Sequence, residues 1–158
     1  MRAPVRWLTA LVGLAVLAGA GIAADHGNDQ PAQTEIRDWE AFDRIVNNKG
    51  MTVQWIDFGG APRGKVEANF QNLILSLQGE QQSPEGVGRV ALSGTIARVD
   101  ASEFIFNGQI IIEDTPDIGR RCEQTGEWRF AITQNRKYWR LRDFEWCDDL
   151  TDYIDIYF

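Results

Sequence analysis

Residues Gly88–Glu113, GRVALSGTIARVDASEFIFNGQIIIE, decide the fold. They hold two strand-length runs with a side-chain period of two, Gly88–Val99 and Glu103–Glu113, separated only by Asp100, Ala101 and Ser102. Parallel strands need a crossover of about a dozen residues, so a three-residue link makes these runs antiparallel neighbours.

The same pattern extends outward. Beyond Gly50 the strand-length pieces are Met51–Phe58, Lys65–Gln78, Glu127–Thr133, Tyr138–Cys147 and Tyr153–Phe158, cut by GGAPRG, GEQQSPEGVG, TPDIGR, a tight turn near Gln134–Asn135 and DDLT. No helix-length segment separates them, which excludes parallel folds and nucleotide-binding crossovers. Two pieces change phase. Val66, Ala68 and Phe70 share one parity and Leu73, Leu75 and Leu77 the other, as a bulge near Gln71–Asn72 would produce. Trp139 and Leu141 likewise give way to Phe144 and Trp146, placing a second bulge near Arg142. Bends in long strands curl a sheet.

Before the strands, TEIRDWEAFDRIVNNKG carries Ile36, Trp39, Phe42 and Ile45–Val46 at helical spacing. Thr34 is placed to cap a helix beginning at Glu35, and Asn47, Asn48 and Gly50 supply its stop. The fold class expected is α+β: an N-terminal helix packed on a curved antiparallel six- or seven-stranded meander sheet. The alternative is a closed β-barrel with one helix.

Arg2 and Arg6 precede the apolar run Trp7–Ala24, which ends in small residues, and this order reads as a signal peptide over residues 1–24. Asp25–Thr34 is polar and aperiodic, a flexible leader, leaving residues 35–158 as a single α+β domain. The expected location is periplasmic or extracellular, with membrane contact only through the signal segment if it stays uncleaved. Without residues 1–24 the net charge moves from −7 to −9, which disfavours nucleic-acid phosphate as a partner.

In an exported chain, Cys122 and Cys147 are read as a disulfide. A two-residue hairpin turn at Gln134–Asn135 would align them across a ladder, with Phe130 facing Trp139, Trp128 facing Leu141, Glu127 facing Arg142 and Arg129 facing Arg140. Gly119–Arg142 carries a net +5 and Asp143–Phe158 a net −6, so mutual neutralisation is expected, with Asp152 or Asp155 answering the arginines. The competing reading makes Arg129 and Arg140 an anion site. Tyr138, Trp139 and Trp146 complete the candidate binding residues, as part of an aromatic C-terminal third.

The only histidine is His26, in the leader, so the folded part has no base for Ser–His or Cys–His catalysis and no imidazole metal ligand. DDLTD lacks the ligand spacing of an EF-hand loop. No metal or cofactor is expected. Carboxylate pairs such as Glu113 with Asp114, or Asp143 with Glu145, are what remains for a hydrolase acting on glycans. The leading expectation is a non-catalytic exported module binding a protein partner or a small ligand. A structural cell-envelope component and the hydrolase are its alternatives.

Overall fold

A computed structural model of the chain describes residues 32–57 and 60–158. The signal peptide, and the leader as far as Pro31, lie outside the described residues. The described elements are β1 (Glu35–Ile36), α1 (Trp39–Val46), β2 (Met51–Val53), α2 (Gln54–Asp57), β3 (Lys65–Gln71), β4 (Ile74–Gln82), β5 (Arg89–Val99), β6 (Glu103–Glu113), β7 (Arg121–Ala131), β8 (Tyr138–Leu141) and β9 (Ile154–Tyr157).

The strands form one sheet of order β2-β9-β8-β7-β6-β5-β4-β3, with β1 added parallel to the end of β5. The expected hairpin sits at its centre: Arg89 lies opposite Glu113, and Val99 opposite Phe104. The two ends of the order meet where Met51 and Gly64 exchange backbone hydrogen bonds of 3.0 and 2.8 Å. The sheet is therefore all but closed into an eight-strand barrel, a width that side chains can fill. They do fill it. Leu75, Leu77, Val90, Ile96, Phe104, Phe106, Ile110, Ile112, Phe130, Trp139, Leu141, Ile154 and Ile156 are each 0% exposed. Fitting the rings needs missing side chains elsewhere. Gly94 and Gly108 lie opposite each other beneath Phe106, and a Cβ on Gly94 would sit 2.2 Å from the Asn107 carbonyl oxygen and 2.9 Å from the Phe106 ring.

Each end of the barrel is stoppered. At one, α1 inserts Ala41 and Ile45 into the core, with Phe42 against Phe70 at 5.2 Å. The other is covered by α2 and residues 142–153, whose anchors are described below.

Several boundaries differ from those read in the sequence. The helix starts at Trp39 because Asp38, not Thr34, caps it, accepting from the Ala41 N–H at 2.7 Å. Thr34 is buried, donating to the Ile96 carbonyl and accepting from the Leu75 N–H, and so fixes β1 on the sheet. Lys65–Gln78 is a hairpin instead of one bulged strand, and it turns at Asn72 and Leu73 with φ of +52° and +65°. The strand expected over Met51–Phe58 stops at Val53, opposite Ile154 where β9 begins, and the chain coils into α2. Strand β7 begins at Arg121 instead of Glu127, while β8 ends at Leu141 and the chain leaves the ladder after the Arg142 N–H. The β7–β8 register is shifted by two residues from the expected one. Phe130 faces Leu141, Ala131 faces Arg140, and Arg129 accepts from the Arg142 N–H, so Arg129 and Arg140 are not opposed.

Candidate functional site

Alternation along β8 and β9 turns Trp139, Leu141, Ile154 and Ile156 inward and leaves Tyr138, Arg140, Asp155 and Tyr157 on the outer side of the sheet, with Asp155 buried among its neighbours. The register then assembles a face. Arg140 lies opposite Asp155, which lies opposite Thr52, while Tyr138 lies opposite Tyr157 with ring centroids 5.2 Å apart. Arg140 grips Asp155 with two hydrogen bonds of 2.7 Å, the bidentate fork that matches a carboxylate. The same guanidinium lies 4.0 Å from the centre of the Tyr153 ring. All three tyrosines of the chain thus share one outer face.

Arg63 stacks on the Tyr157 ring at 3.6 Å, and Arg136 lies 5.6 Å from the Tyr138 ring. Among the described residues neither has a carboxylate within ion-pair distance, unlike Arg140. A guanidinium lying on an aromatic face keeps its in-plane N–H donors outward, so the surface offers two such forks beside two phenols. Burial lifts the Asp155 carboxyl above its ordinary pKa against the pull of Arg140, and hydrogen bonding to Asp155 raises Arg140 further. The geometry is that of an ion pair. Burial also raises the Tyr157 phenol, whose oxygen lies 3.2 Å from the Thr52 hydroxyl.

The candidate residues read from the sequence part company here. Tyr138 and Arg140 meet on this face. Trp139 is inside the barrel against Phe104 and Phe158, at 5.6 and 4.4 Å, and Trp146, carried by the loop 142–153, packs edge-on to Trp128 at 5.4 Å. Arg129 lies apart, bonded to Glu103 at 3.0 Å. Asp155 does neutralise Arg140, whereas Asp152 serves Arg120. Tyr153 and Tyr157 were visible as part of the aromatic third, and their odd numbering relative to Ile154 and Ile156 was the signal that they face outward. Arg63 comes from the turn before β3, and Arg136 from the β7–β8 connection, so neither carried a local signal.

Near the second stopper, Cys122 and Cys147 are bonded, with Cα atoms 6.0 Å apart. Beside them Arg120 makes two hydrogen bonds to Asp148, at 2.8 and 2.9 Å, and two to the fully buried Asp152, at 2.8 and 3.0 Å. Trp55 of α2 donates its indole N–H to the same Asp152 at 2.8 Å. The acidic run is therefore an anchor for the loop. Of the hydrolase candidates, Glu113 lies between Arg89 and Arg121, and Asp114 accepts from the Gly119 N–H at 2.7 Å. A concavity of about 440 Å³ lies on the outer face of β3–β6, floored by Gly79, Ala91 and Leu92 and rimmed by Lys65, Glu80 and Arg89. Among the described residues no helix is long and apolar enough to cross a membrane.

Fold and site together define a class: a near-closed antiparallel barrel, filled by its own side chains, with its polar chemistry on the outside. The chain belongs to the PM1083 family, whose model matches residues 33–158. It is similar to the uncharacterized protein PM1083 of Pasteurella multocida (strain Pm70), with 32% identity over 117 residues, covering 73% of this chain and 74% of that protein. No solved structure matches it.

Proposed function

We propose that this protein is an exported, non-catalytic interaction module of the periplasm or extracellular space, which presents its tyrosine–arginine face to an acidic surface on a protein partner. One observation carries the reading. The barrel interior is occupied by side chains, while the chain's three tyrosines gather on one outer face beside two arginines that have no ion-pair partner among the described residues. Tyrosine and arginine are the residues that dominate interface energetics, because they bury much area with few torsions and retain polar tips. The face stands on rigid strands, which lowers the ordering cost of association. Export is supported by the signal-like order of residues 1–24 and by the disulfide, a bond that persists in oxidising compartments.

Placing a photo-crosslinking residue at Tyr138, with a control at Thr95 on the outer face of β5, tests the reading in the native envelope. A discrete adduct from position 138 alone, lost in Arg63→Ala/Arg136→Ala and weakened by salt, is expected. Equal labelling from both positions would overturn it. A tryptophan fluorescence shift with a glycan panel, and no protein adduct, would replace the partner with a saccharide.

A further inference from the structure

Strand β7 is eleven residues long, yet β8 pairs with it only at Phe130 and Ala131. The ladder shows which backbone groups this leaves over. Arg129 accepts from the Arg142 N–H and Ala131 lies opposite Arg140, so the odd residues of β7 turn their N–H and C=O groups away from β6. By the same alternation, Arg121, Glu123, Thr125 and Glu127 point theirs to the side where β8 has ended. Among the described residues no backbone partner meets them there. All four side chains are exposed. Gln124, on the inward parity, is exposed as well, and a Cβ on Gly126 would meet nothing closer than 3.8 Å. Residues 123–125, between the buried Cys122 and Trp128, are therefore exposed on both faces of the sheet.

We infer that two copies of this chain pair through the free edges of β7, antiparallel about a two-fold axis, with Arg121 opposite Glu127 of the second copy. Charge selects the occupant and the register. Pairing about Gln124 sets Arg121 against Glu127 twice and Glu123 against the neutral Thr125 twice. A slip of two residues one way opposes Glu123 to Glu127. The same slip the other way opposes Glu123 to its own copy. Like charges directly across a ladder are destabilising, so one register uses all four free residues without repulsion. A two-fold contact must be self-complementary, as this sequence is. Arg121 pairs within its own chain with Glu113 and Glu123, and Glu113 keeps Arg89 when Arg121 turns outward.

Sedimentation equilibrium of the full chain, disulfide intact, reads the result as mass against concentration. A doubling of mass is expected. Arg121→Glu weakens the dimer about tenfold or more, by turning two attractive rungs repulsive, and Arg121→Glu/Glu127→Arg restores it. Thr125→Pro gives a monomer with an unchanged melting temperature, since that N–H points away from β6. A monomer at every concentration overturns the inference, as does a dimer indifferent to both Arg121→Glu and Thr125→Pro. If a variant loses the native circular dichroism, concentration-dependent slowing of amide exchange at Glu123, Thr125 and Glu127 in the unmutated chain decides the matter. Absence of that slowing counts against the dimer.

Discussion

Leu73 occupies a left-handed conformation, with φ of +65°, at the second position of a two-residue turn, and its side chain is 55% exposed. A branched side chain there meets its own carbonyl, at a cost of roughly 1–2 kcal/mol, and has little packing to offset it. Leu73→Gly completes an Asn-Gly turn, the preferred sequence for tight hairpins of this hand. It should raise stability by about 1 kcal/mol, read as a higher urea midpoint at unchanged slope. An unchanged or lower midpoint would show that Leu73 has packing value after all. The same residue explains why the hairpin was hard to read. A two-residue turn and a bulge both flip the parity of the inward positions, and Leu at the turn removes the usual chemical signal. What remained was length, since fourteen residues without a break exceed an ordinary strand.

At the scale of elements, β5 and β6 were legible to within a residue because each has a short polar link at one end and alternates along its length. The β7–β8 register was not. Shifting it by two residues keeps every side chain on its own face, so apolar pairing looks as good in the wrong register as in the right one. The cysteines misled because Cys147 is not in the ladder; it lies in the loop 142–153, whose anchors come from distant parts of the chain. Of those anchors, Arg120 holds Asp148 below the usual carboxylate range by hydrogen bonding. A depressed folded pKa means that this contribution is complete above the unfolded value of about 3.9 and is lost as pH falls through the lower folded value. Asp148→Asn should therefore melt lower than the unmutated protein at pH 7, with the gap closing as the buffer is taken toward pH 2. A gap independent of pH would assign the effect to packing.

For the whole molecule, the candidate face follows from barrel geometry. Its members come from β2, β8, β9 and the end of the loop before it, the turn before β3 and the β7–β8 connection, and only near-closure of the sheet brings Arg63 onto Tyr157. Tyr138 and Arg140 are legible in the sequence but the set is not, because partners from opposite ends of the strand order meet only when the ring closes. Closure also divides the molecule energetically. The long strands β4–β7 carry the longest ladders, interrupted by a bulge between Ile96 and Arg98 of β5, and most of the buried rings, while the second stopper depends on one disulfide, the Arg120 cluster and Trp146 on Trp128. Removing the crosslink in Cys122→Ala/Cys147→Ala frees a 25-residue loop and should cost about 3 kcal/mol by chain entropy. The loss should be local in the native state. Amides of residues 142–153 are expected to exchange faster and the near-ultraviolet signal of the Trp128–Trp146 pair to fall, while exchange in β5 and β6 quickens only by the change in global stability. Equal acceleration in every strand would mean that the bridge holds the barrel as a whole and that the loop is no separate stopper.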